Sequence, residues 1–155
     1  IEHALRINEF MPKYISNSIE NKLNEMGLEK TVLVCGLAYK ANVEDMRDSP
    51  SFKIIQEMKK RGFTIHGYDP FFDSNLSEKY LIENHISELN FTKLDNIDDE
   101  TIKGINCICI VQHHNESKSR IKEIYDKSLI PFIYDCQSKL IKNSQSNSVI
   151  DYLGN

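Results

Sequence analysis

Thr31-Val-Leu-Val-Cys-Gly36, then Ser49-Pro50 opening a helical pattern, then Phe63-Thr-Ile-His-Gly-Tyr68 form the stretch that decides the fold. The first run is apolar without alternation, which is the pattern of a strand buried on both faces. Ser49 is a good N-cap and Pro50 suits the first helical position, so a helix is expected over about Ser51–Arg61, with Phe52, Ile55 and Met58 on one face and Gly62 ending it. The next apolar run closes at Asp69-Pro70. Strand, helix and strand in this order make a βαβ unit, whose right-handed crossover produces a parallel pair.

The pattern repeats outward. Ile105-Asn-Cys-Ile-Cys-Ile-Val111 is a third apolar strand, Glu116–Lys127 a helix with Ile121, Ile124 and Tyr125 inward, Pro131-Phe-Ile-Tyr-Asp135 a fourth strand, and Ser148-Val-Ile-Asp-Tyr152 a last short one. Ser77–His85 and Asp98–Lys103 are expected as helices, with Phe91-Thr92 a short extended link. The fold class is α/β: a doubly wound, mostly parallel sheet. Ahead of it, Ala4, Leu5, Ile7, Met11, Ile15, Ile19, Leu23 and Met26 recur at helical spacing, with Pro12 marking a kink or a fresh helix start. Residues 1–27 are therefore expected to be a connecting helix from an upstream region, and residues 28–155 the domain itself.

The chain has 155 residues, 40% hydrophobic and 27% charged, with 19 Lys and Arg against 23 Asp and Glu. That suffices for one domain with a real core and excludes a disordered or collagenous chain. A formal charge of −4 lacks the positive footprint of a nucleic-acid binder. No apolar run reaches the ~18 residues of a membrane span, and no signal-peptide pattern opens the chain, so a soluble, cytoplasmic protein is expected. Cys35, Cys107, Cys109 and Cys136 form no Cys-x-x-Cys pair and have no His at ligand spacing, which disfavours a metal site and a thiol redox enzyme. Three of them fall in apolar runs as small hydrophobes; Cys136, just past a strand end, is the exception.

Ligands of such a sheet bind beyond the carboxyl ends of its strands. After the first strand a dinucleotide site needs Gly-x-Gly-x-x-Gly leading straight into a helix. Here only Gly36 is present, and about a dozen residues precede the helix. The loop instead carries two cations, Lys40 and Arg47, with Asp45 between them to orient Arg47. A lysine offers a point charge for phosphate and an arginine a bidentate fork. His66 reads as a sheet-face residue and Asp69, before Pro70, as a turn residue. His113 and His114 are adjacent on an extended segment, so they point opposite ways and at most one faces the cleft.

The segment Gly36-Leu-Ala-Tyr-Lys40, the run Val43-x-Asp45-x-Arg47-x-Ser49-Pro50 and the closing Tyr68-Asp-Pro70 resemble the C-terminal domain of the UDP-glucose/GDP-mannose dehydrogenase family. Arg6-Ile-Asn-Glu-Phe-Met-Pro12 is similar to the helix leading into that domain, and Asp151-Tyr-Leu-Gly154 to its terminal element. Val111-Gln-His-His114 is a looser match. The resemblance implies a Rossmann-like domain without a dinucleotide fingerprint, the substrate-binding part of an NAD-dependent enzyme that oxidises the C6 alcohol of a UDP-sugar to a carboxylate. It also implies that the NAD-binding domain and the catalytic cysteine lie upstream, that this chain holds no catalytic residue, and that the full-length protein is a homo-oligomer. Tyr39 and Lys40 occupy positions that contact the nucleotide-sugar, and Arg47 one that reaches NAD. After the fourth strand the family has Asp-x-Arg; this chain has Asp135-Cys-Gln-Ser138, so Gln137 stands in place of a substrate-contacting arginine. The rival reading is a non-catalytic nucleotide-binding or protein-interaction module on the same sheet.

Overall fold

Six strands line up in the order β3-β2-β1-β4-β5-β6, every neighbouring pair parallel. They are β1 (Thr31–Cys35), β2 (Thr64–Tyr68), β3 (Thr92–Lys93), β4 (Cys107–Ile110), β5 (Phe132–Asp135) and β6 (Val149–Tyr152). The computed structural model describes residues 2–37, 49–71, 79, 81–86 and 92–153. This strand order is that of a doubly wound sheet, with its reversal point between β1 and β4.

The apolar runs form the centre of the sheet because they can be covered on both faces. Val32 and Val34 of β1, Ile65 of β2, Cys107 and Cys109 of β4 and Phe132 and Tyr134 of β5 face one way. They pack against helix α1 (Glu2–Glu25) through Ile15, Ile19 and Leu23, and against helix α2 (Pro50–Lys60) through Phe52, Ile55 and Met58. The alternate residues Leu33, Cys35, Ile108, Ile110 and Ile133 pack against helix α3 (Asn115–Asp126) through Ile121, Ile124 and Tyr125. Each buried aliphatic or aromatic side chain contributes about 1.5–3 kcal/mol, so this two-sided core dominates the stability.

Local signals act as read. Ser49 caps α2, its side chain accepting from Ser51 N–H at 3.3 Å, with Pro50 in the first turn. α1 runs unbroken through Pro12. The ~3 kcal/mol that an interior proline costs is offset by Ile15, Ile19 and Leu23, which sit fully in the core just downstream. The expected helix over Asp98–Lys103 is instead a run of turns. Asp98 accepts from Thr101 N–H, the backbone bonds that follow span four, three and three residues, and Gly104 adopts φ 86°, so too few residues remain to propagate a helix. Helical residues occur at 79 and 81–83 within the expected Ser77–His85 element; Asn84 and His85 form a turn instead, with His85 at φ 57°, and residues 77, 78 and 80 lie outside the described residues. Among the described residues, no helix is long and apolar enough to cross a membrane.

Gly36 occupies the reversal point. It adopts φ 90°, and a Cβ there would lie 2.6 Å from the backbone N and O of Gln112. Its N–H donates to Tyr68 O, and its carbonyl accepts from Ser51 Oγ at 2.6 Å, which ties β1 to β2 and to the start of α2. Gly36→Ala is expected to destabilise the protein by roughly 2–4 kcal/mol, adding a backbone clash to the left-handed conformation. Gly27→Ala, at φ 69° with open space around the added carbon, is expected to cost about 1–2 kcal/mol. Urea midpoints of the two variants check this; equal losses would mean that the approach to Gln112 relaxes freely.

Candidate functional site

At the C-terminal edge of the sheet, two buried aspartates organise the loops. Asp69, one residue past β2, accepts Leu37 N–H at 2.7 Å through Oδ2 and Phe71 N–H at 2.8 Å through Oδ1. Asp135 ends β5 and accepts Gln137 N–H at 2.9 Å through Oδ1, and Lys139 and Leu140 N–H, both at 2.8 Å, through Oδ2. A carboxylate has about four lone-pair sites and no donor, so it suits loops whose N–H groups leave the sheet without a ladder partner.

Each aspartate also meets a histidine. His113 Nε2 lies 2.9 Å from Asp135 Oδ1, and His114 Nε2 lies 3.0 Å from Asp69 Oδ2. The Phe71 ring stands edge-on to His114 at 5.3 Å. The two histidines do point opposite ways, as adjacent extended residues must. Both are taken into the interior, however, at 7% and 1% exposure, and the aspartates are at 0% and 4% for 135 and 69. They serve as braces between strand ends. Asp69 does form the expected turn, and it also spans from the β1 loop to the β4 loop. Burial alone would push the Asp135 carboxyl up; hydrogen bonds from His113 and from the Leu140 and Gln137 N–H groups outweigh it and hold the carboxyl below its ordinary value. His66 sits half-buried on β2, as expected for a sheet-face residue, with Nδ1 lacking a hydrogen-bond partner. Burial, then the nearby Lys59 charge, lower its pKa.

Gln137 follows the Asp135 turn. Its Nε2 donates to Gln112 Oε1 at 2.8 Å, and its Oε1 accepts His113 N–H at 3.3 Å. The residue in the place of the expected arginine is thus bound to the end of β4. It also lines a cleft of about 380 Å³ bounded by Met11, Pro12 and Ile15 of α1, by Pro50 and Lys53 of α2, and by Val111, Cys136 and Leu153. The lining is largely apolar, with the exposed Lys53 ammonium and the Gln137 amide as polar groups. This is the composition of a small-molecule site, apolar walls with a few polar contacts. The sequence reading did not single out Lys53; its position three residues after the Ser49-Pro50 cap was the available signal, since that places it in the first turns facing the strand ends.

Tyr39, Lys40, Asp45 and Arg47 lie outside the described residues; the segment that carries them joins Leu37 to Ser49, both described. Among the described residues, no group of three His, Cys, Asp or Glu could hold a metal ion. At the end of β1, Gly36 backs directly onto Gln112, and α2 begins at Pro50.

Residues 33–143 match the UDP binding domain of the UDP-glucose/GDP-mannose dehydrogenase family. The chain is 32% identical over 162 residues to a UDP-N-acetyl-D-mannosamine dehydrogenase of Methanococcus maripaludis, covering 100% of this chain and 34% of that protein. It is 30% identical over 134 residues to Protein CapL of Staphylococcus aureus, covering 84% and 28%. Among solved structures, the UDP-N-acetyl-mannosamine dehydrogenase Cap5O from S. aureus superposes with a TM-score of 0.69 at 22% identity, over 97% of this chain and 32% of that one. A UDP-glucose dehydrogenase from Pyrobaculum islandicum gives 0.65 at 20% identity, over 96% and 30%. At those identities the structures establish a common fold. The chain spans about a third of the length of the curated relatives it matches.

The Asp135 brace has a pH signature. Its carboxyl is held below the ordinary range when folded, so its stabilisation is complete above about pH 4, the unfolded-chain value, and is lost as pH falls through the folded value. Asp135→Ala is expected to cost about 3–5 kcal/mol, because it leaves His113 and three N–H groups without their acceptor. Asp135→Asn should cost less, and the gap in its urea midpoint from the parent should be widest near neutrality and narrow below about pH 4. A gap independent of pH would show that the ionised carboxylate is not the stabilising species.

Proposed function

Because the chain belongs to the UDP-glucose/GDP-mannose dehydrogenase family, we propose that it is the nucleotide-sugar-binding, C-terminal part of an NAD-dependent UDP-sugar 6-dehydrogenase. The match of the family's UDP binding domain to residues 33–143 carries this reading. The matched stretch contains the ends of β1, β2, β4 and β5, where ligands of a doubly wound sheet bind. Residues 1–27 connect to the upstream region, and residues 28–155 form the binding domain. The sugar we assign is UDP-N-acetyl-D-mannosamine, after the names of several relatives.

Tyr39 and Lys40 contact the nucleotide-sugar, and Arg47 reaches toward NAD held by the upstream domain. Gln137 closes one side of the substrate cleft as a neutral contact. Its amide is already engaged with Gln112 and His113, which limits it to positioning and short-range hydrogen bonding. Lys53, lining the same cleft, supplies the positive charge that Gln137 lacks. Oxidising a primary alcohol to a carboxylate removes four electrons, so NAD as a two-electron acceptor is used twice; that chemistry belongs to the cofactor and the upstream cysteine. This domain binds and orients the substrate. The full-length protein works as a homo-oligomer in the cytoplasm.

The full-length protein is expected to form NADH with UDP-N-acetyl-D-mannosamine and more slowly with UDP-glucose, while the 155-residue chain alone forms none. NADH production by the chain alone, scaling with its concentration, would overturn the division of labour; absence of both turnover and UDP binding in the full-length protein would favour an interaction module. Lys40→Ala should lower kcat/KM by ten- to a hundredfold, since a charge-assisted hydrogen bond contributes about 1.5–3 kcal/mol. Arg47→Ala should act mainly on the KM for NAD, and Lys53→Ala on that of the nucleotide-sugar, with an effect that weakens as salt is added. Steady-state kinetics with each ligand varied in turn separate these outcomes.

A further inference from the structure

Cys109 and Cys136 are 27 residues apart in sequence, yet their sulfurs lie 4.0 Å apart. The register explains it: Cys109 of β4 stands opposite Tyr134 of β5, Ile110 opposite Asp135, and Cys136 follows with its N–H donating to Ile110 O. Cys109 is buried beneath α1, whereas Cys136 is half-buried and lines the cleft. One thiol of this pair therefore has a route to solvent and the other does not.

We propose that Cys109 and Cys136 form an oxidation site, in which a peroxide entering the cleft converts the pair to a disulfide. The Cys136 sulfur attacks one peroxide oxygen, the O–O bond breaks, and water leaves, giving a sulfenic acid at Cys136. The Cys109 sulfur then attacks Cys136 Sγ; the S–O bond breaks, and the hydroxyl leaves as a second water with the Cys109 proton. Two thiols lose two electrons and hydrogen peroxide takes them. The order follows from the environments: thiolate character and access select the first sulfur. The hydrogen bond to Cys136, together with burial, keeps the Cys109 thiol protonated, while Cys136 is the sulfur that borders the cleft. Closing the gap to the ~2.05 Å of a disulfide requires the turn that starts at Cys136 to shift. That turn includes Ser138 at φ 55° and carries Gln137, so the bond would move the cleft wall.

The test treats the full-length protein with hydrogen peroxide, alkylates free thiols in denaturant and maps the peptides by mass spectrometry without reduction. A peptide pair joined through Cys109 and Cys136, lost on adding dithiothreitol, is expected, with Cys35 and Cys107 recovered as alkylated thiols. With dimedone present, Cys109→Ser should accumulate the adduct at Cys136, and Cys136→Ser should leave Cys109 alkylated. Three results would overturn the proposal: Cys136 remaining a thiol in the peroxide-treated parent protein, Cys136 oxidised to a sulfinic acid while Cys109 stays free, or Cys109 oxidised in the Cys136→Ser variant. The parent-protein map decides the pairing even if a variant folds poorly, and it does not depend on which sugar the protein binds.

Discussion

Parallel strands that end together leave a row of N–H groups whose ladder partners have run out, and Asp69 and Asp135 answer that constraint. Asp135 accepts three loop N–H groups and Asp69 two. A buried donor left unsatisfied costs about 1–3 kcal/mol, so the loops that leave the strands would not hold their shape without these acceptors. Carboxyl groups in the interior are costly to keep ionised. His113 and His114, alternating on the segment after β4, offset that cost by meeting one aspartate each. The edge of the sheet where a ligand would sit is thus held together by groups that are buried and occupied.

The strand order is that of a doubly wound sheet, and the close approach of loops at its reversal point shapes where a ligand can sit. At the reversal point the backbone of Gln112 fills the space that a residue larger than Gly36 would need. Among the described residues, an open volume lies to the side, between α1, the first turns of α2 and the turn after β5. A chain of net charge −4 has no long-range attraction for an anion, so anion recognition here must be local. Lys53 among apolar walls can supply it, and a cation beside a low-dielectric wall acts more strongly than one in open water.

The sheet was legible because each central strand is an uninterrupted apolar run, which only two-sided burial explains, and because Ser49-Pro50 marks a helix start by chemistry that works locally. The Asp98–Lys103 segment misled because a capping aspartate looks alike before a helix and before a turn. The braces were not legible: His113 meets Asp135 and His114 meets Asp69 across 22 and 45 residues, and no local spacing encodes which strand lies beside which. The thiol pair escaped for the same reason. Motif spacing finds cysteines that are close along the chain, whereas these meet through strand register. Of the site residues read from sequence, Gln137 stands on the cleft wall, while Tyr39, Lys40 and Arg47 lie outside the described residues.

The braces also change how substitutions at this edge should be interpreted. The Asp135 carboxylate reaches the cleft through Gln137: it accepts the Gln137 N–H, and it holds His113, whose own N–H donates to the Gln137 side chain. A change at Asp135 therefore displaces Gln137 by two routes at once, and its effect on ligand affinity should be inseparable from its effect on stability. Lys53 behaves differently. It is exposed on the first turns of α2, and among the described residues no strand end relies on a contact to its side chain. Loss of affinity at constant stability then marks a ligand contact, and loss of both together marks a brace. The same criterion applies to Gln137: its two hydrogen bonds place it between the classes, because the side chain that faces the cleft is also the one that ties the turn after β5 to the end of β4.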